Sequence, residues 1–309
     1  MKISNPNLLN WLVLLLLGAV WGTSFILIKT GLKGFPPLQL ASLRIVISFI
    51  ALIGLLPFYF RKIRVGDIKY IFFVGLLGSG IPPFMYAFAQ TRIESAMAGI
   101  INSAVPIFTF IIGILFFKAI FSWLKLSGVL IGLAGAVLLL FYGVSNPSTE
   151  VYLYGSLILV ATFCYALSVN IVKTYLQNVN AIAITVVSFT LLGIPAMIYL
   201  FTTDFIVRVQ AGRQEFHSFL AIVLLAVMGT ALANILYFYL TQRTTALFAS
   251  TVTYLIPIVA VFWGIGAGEN ITLIHFYGML MILFGVYLAG NRKKPFTKRQ
   301  SQKSQHSHP

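Results

Sequence analysis

Residues 86–120 read YAFAQTRIESAMAGIINSAVPIFTFIIGILFFKAI, and this stretch decides the fold because the chain repeats it. Laid without gaps on residues 237–271, it aligns Tyr86 with Tyr237, Arg92 with Arg243, Ala98 with Ala249, Pro106 with Pro257, Ile107 with Ile258 and Gly113 with Gly264. The stretch is apolar, as long as a membrane-spanning helix, and interrupted by a proline. Two such stretches at a fixed spacing indicate a duplicated membrane protein.

The composition also favours a membrane protein. The 309 residues are 59% hydrophobic and 9% charged, with a mean hydropathy of +0.96, which lies outside the range of soluble domains. A net charge of +15 suits a nucleic-acid partner only when the basic residues form a face or a stripe, and here they lie between apolar runs. We therefore predict the lipid bilayer as a partner, and no nucleic acid.

Ten segments are long and apolar enough to cross a bilayer, which takes about 20 residues. They lie at about 11–31, 38–59, 68–89, 95–117, 123–142, 152–174, 181–201, 218–240, 245–266 and 272–290. With the N-terminus inside, fifteen Lys and Arg residues fall on the inner side and five on the outer side. Because basic residues are retained in cytoplasmic loops, we predict that both termini are cytoplasmic.

The repeat extends beyond residues 86–120 in both directions. Ser24, Lys29, Thr30 and Leu32 match Ser168, Lys173, Thr174 and Leu176, while Gly128 and Gly135 match Gly278 and Gly285. We divide the chain into halves at 1–145 and 150–291, followed by a disordered basic cytoplasmic tail at 292–309. Each half holds five spans, an odd number, so the second half is inverted relative to the first. The predicted fold is an all-α polytopic membrane protein with ten transmembrane helices in two inverted five-helix repeats.

Four motifs lie in corresponding places along these spans. They are WGTSFILIKTGL at 21–32, the Leu43-Arg44 pair, the run at 95–106, and the run at 245–257 with the Gly268-Glu269 pair after it. Together they resemble the EamA branch of the drug/metabolite transporter superfamily over about 11–291. The resemblance implies a carrier of small metabolites, frequently an exporter of amino acids or related compounds. Members commonly have a Gly-Glu pair where the fourth span ends, whereas this chain has Phe117-Lys118.

Polar and aromatic side chains at membrane depth are costly unless they face a cavity or a partner. In inverted-repeat carriers the substrate lies near the bilayer midplane between the halves. We predict that a small-molecule substrate is bound there by Trp21, Ser24, Arg44, Tyr86, Asn102, Ser103, Asn170, Tyr237, Thr253 and Tyr254. The four residues just ahead of the two prolines, Asn102, Ser103, Thr253 and Tyr254, are the strongest candidates. Hydrogen bonding between helices is the alternative role for each residue.

Arg44 and the two prolines each have two interpretations. Arg44 lies about 10 Å into its helix, where it either attracts a substrate carboxylate or phosphate or has a structural role, bonding to helix-end carbonyls or snorkelling outward. Pro106 and Pro257 fall near the middle of the matched spans, and a proline in a helix interior frees the carbonyl one turn earlier. They either gate the substrate pathway or only curve the helices.

Several residues and motifs are absent from the sequence, and their absence argues against some classes of function. No Asp or Glu lies centrally in a span, and no His-Glu-x-x-His, Gly-x-Ser-x-Gly or phosphate-loop motif occurs. We therefore predict that the protein is not an enzyme and uses no cofactor and no bound metal. Without a central carboxylate, a facilitator or exchanger is at least as well supported as a proton antiporter.

The resulting prediction is a secondary carrier in the cell (inner) membrane that works by alternating access. A passive channel or facilitator is the alternative, and a membrane-embedded enzyme has much less support. The Gly-x-x-x-Gly spacing at Gly128 and Gly132 allows helices to approach closely. It is compatible either with a homodimer face or with packing inside the chain.

Overall fold

The computed structural model describes residues 7–93, 95–141, 149–266 and 273–290, and every regular element in these ranges is a helix. The Gly268-Glu269 pair and the predicted tail at 292–309 lie outside the described residues. All-helical structure is confirmed for the part of the chain that is described.

The helices of the first half are α1 (Leu8–Gly31), α2 (Pro37–Ile53), α3 (Leu56–Phe60), α4 (Val65–Gly75), α5 (Ile81–Ala89), α6 (Ser95–Asn102), α7 (Val105–Phe117) and α8 (Trp123–Phe141). Those of the second half are α9 (Thr149–Tyr175), α10 (Ala181–Phe201), α11 (Phe205–Ala211), α12 (Arg213–Ala226), α13 (Ala233–Arg243), α14 (Ala246–Ser250), α15 (Val252–Gly266) and α16 (Leu273–Gly290). Two π-helical segments, π1 (Leu76–Gly80) and π2 (Val227–Leu232), join α4 to α5 and α12 to α13.

Five continuous helices among the described residues are long and apolar enough to cross a membrane. They are Leu8–Gly31, Val65–Ala89, Tyr152–Tyr175, Ala181–Phe201 and Arg213–Arg243. Shorter apolar helices occupy the other five predicted segments. Many large apolar side chains on these helices are exposed, for example Leu12 and Leu16 on α1, as expected where lipid rather than water surrounds the protein. A polytopic membrane protein is therefore confirmed, while the count of ten spans stays a prediction.

The two predicted spans that contain the matched prolines are broken helices. The segment at 95–117 consists of α6 and α7, separated by Ser103 and Ala104, and the segment at 245–266 consists of α14 and α15, separated by Thr251. Pro106 is the second residue of α7, so the prediction of a helix-interior position for it is wrong. Proline suits this position because it has no backbone N–H, and an N–H in the first turn of a helix would have no partner within the helix. Pro257 does lie inside its helix, α15.

Helices of each half pack against helices of the other half. Helix α1 packs against α12 and α15 of the second half, and α9 packs against α5 and α7 of the first half. Gly18 of α1 faces Leu255, and Gly22 faces Val259 one turn further along both helices. Helices α1 and α15 therefore run in the same direction and approach closely.

Helices α8 and α16 also come into close contact, but in opposite directions. A β-carbon on Gly128 would lie 2.8 Å from the carbonyl oxygen of Gly285, and one on Gly135 would lie 2.8 Å from the carbonyl oxygen of Gly278. Only glycine allows two helix backbones to meet at this distance. These glycines pack inside the chain, whereas a homodimer stays a prediction.

Helices α2 and α10 form a second pair that runs in opposite directions. Gly193 of α10 lies against the Phe49 side chain of α2. Toward the other end of α2, Gln39 Nε2 donates a hydrogen bond of 2.6 Å to Oδ1 of Asp204, which follows α10.

Two of the three buried apolar clusters among the described residues contain parts of α1. One contains Leu14 and Leu17 from the beginning of α1, and the other contains Phe25 and Ile28 from its end. Trp21, midway between them, is partly buried and packs against both clusters. The polar side chains described next lie at this junction.

Candidate functional site

A cavity of about 80 Å³ lies at the junction of the two halves, enough for several water molecules. Eight pairs of repeat-equivalent residues line it: Trp21 with Tyr165, Ser24 with Ser168, Gly78 with Gly229, Ser79 with Thr230, Pro83 with Asn234, Tyr86 with Tyr237, Asn102 with Thr253, and Val105 with Ile256. The first two pairs are 144 positions apart and the other six are 151 positions apart. Phe25, Ile28, Arg44 and Phe238 complete the lining. The cavity is thus built from corresponding positions of both halves.

Seven of the ten predicted substrate-binding residues line this cavity. They are Trp21, Ser24, Arg44, Tyr86, Asn102, Tyr237 and Thr253. They come from six helices, so it is the packing of the two halves that brings them together.

The other three predicted residues lie outside the lining, and their polar groups are bonded within the helix bundle. Ser103 Oγ donates to the Gly99 carbonyl oxygen at 3.0 Å. Asn170 Nδ2 donates to the Thr109 carbonyl oxygen of α7 at 3.1 Å, and Tyr254 Oη donates to the Val129 carbonyl oxygen of α8 at 2.7 Å. The bonds of Asn170 and Tyr254 match the alternative role in holding helices together, whereas the bond of Ser103 goes back to the helix that it follows.

The π-helical segments contribute residues that the sequence did not single out. Gly78 and Ser79 belong to π1, and Gly229 and Thr230 belong to π2. A π-helical turn holds one residue more than an α-helical turn and is frequently found at functional sites. Ser168 was also missed. The repeat spacing would have found Ser168, because it pairs this residue with the predicted residue Ser24.

Each π segment lies against a serine of the other half. A β-carbon on Gly229 would be 2.8 Å from Ser24 Oγ, and a β-carbon on Gly78 would be 2.8 Å from Ser168 Oγ. The two contacts are repeat equivalents. Both glycines are needed for this close approach, since a larger residue would displace the serine hydroxyl.

Arg44 is the one cationic residue in the lining and is half-buried. Its Nε donates a hydrogen bond of 2.6 Å to Thr230 Oγ1, which in turn donates to the Leu225 carbonyl oxygen at 3.0 Å. One turn along α2, Ser48 Oγ donates to the Ala226 carbonyl oxygen at 2.8 Å. Within the described part of the chain, no carboxylate pairs with Arg44. The guanidinium is therefore fixed at π2 while its charge is not neutralised.

The corresponding bond at π1 is neutral. Asn234 Nδ2 donates to Ser79 Oγ at 3.0 Å. Each π segment thus offers a hydroxyl to a side chain of the other half, an amide in one case and a guanidinium in the other.

Aromatic residues form two walls of the cavity. Trp21 Nε1 donates to the Gly229 carbonyl oxygen at 3.0 Å, and its ring meets the Tyr237 ring edge-on at 5.0 Å between centroids. Across the cavity, Tyr86 Oη donates to Asn102 Oδ1 at 2.6 Å. The Tyr86 and Tyr165 ring centroids are 6.2 Å apart. Aromatic walls with a few fixed polar groups are typical of small-molecule sites.

Each of the two prolines leaves the backbone carbonyl of a cavity residue without the N–H that would otherwise bond to it in a helix. Neither proline has an N–H, so Pro106 cannot bond to the carbonyl of Asn102, nor Pro257 to that of Thr253. Asn102 and Thr253 both line the cavity. Val105 and Ile256, the residues directly before the prolines, also line the cavity, and the prolines themselves are buried.

No metal site is formed by the described residues, among which no three His, Cys, Asp or Glu side chains cluster. Outside the predicted spans, hydrogen bonds from Arg208 and Gln39 lower the pKa of the Asp204 carboxyl below its ordinary value. Asp204 follows α10 and is not part of the cavity.

Comparison with known proteins agrees with this architecture. A transporter of Archaeoglobus fulgidus described as uncharacterized is 27% identical over 286 residues, which cover 92% of this chain and 99% of the relative. The uncharacterized inner membrane transporter YedA of Escherichia coli K12 is 27% identical over 283 residues, covering 87% of this chain and 86% of YedA. The uncharacterized transporter YdfC of Bacillus subtilis is 28% identical over 284 residues, covering 88% and 89%.

A solved crystal structure has the same fold, with a TM-score of 0.67 and 16% identity over 91% of this chain and 96% of the other. The sequence model of the EamA-like transporter family matches this chain twice, at residues 9–141 and 153–291. The resemblance to this family that the four sequence motifs indicated is therefore confirmed. The chain belongs to the EamA-like transporter family and is a multi-pass protein of the inner membrane.

Proposed function

We propose that the protein is a secondary transporter that moves a small organic metabolite, an amino acid or a related compound, out of the cell by alternating access. The observation that carries the proposal is the cavity lined by eight repeat-equivalent residue pairs. A site built from corresponding positions of two halves can face either side of the membrane when the halves rock against each other. The amino-acid class and the outward direction rest on the family resemblance.

The contacts between helices support the inverted repeat that this mechanism requires. Helices α8 and α16 hold corresponding places in the two halves and pack in opposite directions, and so do α2 and α10. A two-fold axis in the membrane plane relates such pairs. We propose halves at 1–145 and 150–291, ten spans, a tail at 292–309 and both termini in the cytoplasm.

The π segments are the proposed hinges. Leu76 and Val227, the first residues of π1 and π2, are 151 positions apart, as are Tyr86 and Tyr237. Extra residues in a helix shift its register locally, so a π turn can change shape while the flanking α-helices stay intact. Both segments touch the cavity and the other half, which supports a role for them as hinges beside the proposed substrate site.

The experiment is counterflow in proteoliposomes preloaded with unlabelled amino acids and small organic acids. A carrier exchanges labelled for unlabelled solute and saturates, whereas a passive channel conducts without saturation. Ser156→Ala controls for the effect of a substitution away from the cavity, because Ser156 is exposed on α9 and bonds only to the Leu153 carbonyl oxygen of its own helix. Saturable counterflow in the wild type and in this variant supports the proposal, and unsaturable conductance contradicts it.

A further inference from the structure

We propose that the cavity selects organic anions with one carboxylate and no ammonium group, and that Arg44 binds the carboxylate. This rests on the proposed transport function and narrows its substrate class. Within the broad group of amino acids and related compounds, the carboxylates that lack the amino group would then be the preferred substrates.

Part of the hydrogen-bonding capacity of Arg44 is unused within the described residues. A guanidinium has five N–H groups in a rigid fork. Nε donates to Thr230 Oγ1, and no residue of the described ranges accepts a hydrogen bond from Nη1 or Nη2. Arg44 lines the cavity, so these groups can meet a ligand there. A carboxylate fits such a fork with two parallel hydrogen bonds.

The positive charge of Arg44 also favours an anionic ligand. A cation in an apolar site is costly unless an anion accompanies it, and within the described ranges Arg44 has no carboxylate partner. A bound carboxylate would supply the missing negative charge. A phosphate monoester carries close to two charges at neutral pH, which exceeds the single positive charge of the lining.

The amino group of a zwitterionic ligand would be repelled in this cavity. An α-ammonium lies one carbon from the carboxylate, so it would enter the cavity close to the Arg44 guanidinium. The lining contains no Asp or Glu that could offset the repulsion. Two like charges at contact distance inside a protein repel each other strongly enough to change affinity about tenfold or more.

The two halves differ in charge at the position of Arg44. The position that corresponds to Arg44 in α10 is Ser188, since both helices begin 144 positions apart at Pro37 and Ala181. Ser188 is buried, and its Oγ donates to the Ile71 carbonyl oxygen at 3.0 Å. The cavity is therefore positive on one side only and fits a ligand with a single anionic end. Phe25, Ile28 and Phe238 provide apolar surface for the rest of it.

The test compares three compounds of one shape on the purified full-length protein: 4-methylpentanoate, leucine and 3-methylbutylamine. They share the same branched carbon body and differ in the carboxylate and the ammonium. We expect 4-methylpentanoate to raise the thermal unfolding midpoint at a concentration about tenfold lower than leucine requires, and 3-methylbutylamine to have no effect. The set 3-hydroxypropanoate, serine and ethanolamine repeats the comparison with a polar body.

Two variants connect the preference to Arg44. Arg44→Gln should abolish the response to 4-methylpentanoate, while Arg44→Lys should keep part of it because the charge remains. The ranking of the three compounds on the wild-type protein tests the proposal even if Arg44→Gln does not fold.

Leucine or serine acting at the same or lower concentration than its matched carboxylate would overturn the inference, and saturable amino-acid counterflow would then leave the transport function standing. An unchanged response in folded Arg44→Gln would overturn it as well. If no compound in either set has an effect and no counterflow occurs, the transport function fails together with the inference.

Discussion

The segments π1 and π2 occupy corresponding places in the two halves, yet different side chains hold them. At π1, the neutral amide of Asn234 bonds to Ser79, and at π2 the guanidinium of Arg44 bonds to Thr230. The backbone geometry is duplicated, including the glycine of each segment that faces a serine of the other half. The charge is not duplicated. We infer that the shared geometry serves the motion and that the unshared charge serves substrate recognition.

The largest effect is expected where the two segments differ, at Thr230. Thr230→Val removes the hydroxyl that accepts from Arg44 Nε but keeps the side-chain shape. A hydrogen bond to a charged group contributes about 1.5–3 kcal/mol, so the KM for a carboxylate substrate should rise about tenfold or more. Counterflow at varied substrate concentration measures this change.

Thr190→Val is the control for Thr230→Val. Thr190 lies outside the lining and bonds to the Val186 carbonyl oxygen of its own helix. An unchanged KM in Thr230→Val, or an equal change in both variants, would contradict the role of Thr230 in holding Arg44.

The next effect should be alike in both halves. Gly78→Ala and Gly229→Ala each bring a β-carbon within 2.8 Å of a serine hydroxyl, and overpacking of this kind costs about 1–3 kcal/mol. Thermal unfolding should show similar losses for the two variants, and Gly66→Ala, which meets nothing within 4 Å, should show none.

The serines provide a second check on these glycines. Ser168→Ala should restore much of the stability lost in Gly78→Ala, and Ser24→Ala should do the same for Gly229→Ala, because the clashing hydroxyl is removed. A large loss at only one of the two glycines would show that the duplicated geometry does not matter equally in both halves.

A smaller effect is expected at the neutral bond of π1. Ser79→Ala removes the acceptor of Asn234 Nδ2, and a neutral hydrogen bond contributes only about 0.5–1.5 kcal/mol. The KM for a carboxylate should therefore change less than in Thr230→Val under the same counterflow conditions. A larger KM change in Ser79→Ala would reverse the assignment of recognition to the π2 side.

The smallest effect is expected at Asp204, an exposed carboxylate of the second half. Its pKa is lowered by hydrogen bonds from Arg208 and Gln39, so the stabilisation is present above the ordinary Asp pKa of about 3.9 and is lost as the pH falls through the lowered value. Wild type should unfold at a slightly higher temperature than Asp204→Asn at pH 7, and the difference should disappear in strong acid. A difference that grows as the pH falls would contradict this sign.

The positions of the spans could be predicted because apolar runs of bilayer length have few other uses. The positions at which the helices break could not be predicted. Pro106 and Pro257 are repeat partners, but Pro106 begins α7 and Pro257 lies inside α15. A proline removes one N–H wherever it lies, and neighbouring helices decide where the backbone turns.

The cavity could be predicted in part. Trp21 and Tyr86 were found because polar groups at membrane depth need a cavity or a partner. Asn102 and Ser103 are adjacent, but neighbouring residues of a helix point in different directions. Only the packing shows that Asn102 lines the cavity and that Ser103 does not. The π register at Gly78 and Gly229 depends on hydrogen bonding that composition does not encode.

The central claim is that both π segments face a cavity that opens to each side of the membrane in turn. Cys164 is the single cysteine, so Cys164→Ser provides a background for Ser79→Cys and, separately, Thr230→Cys. In membrane vesicles of known orientation, a membrane-impermeant thiol reagent should label each introduced cysteine from either side, and the loss of Cys164 alone should leave no labelling. Labelling of both positions from one side only, whatever solute is present, would contradict alternating access.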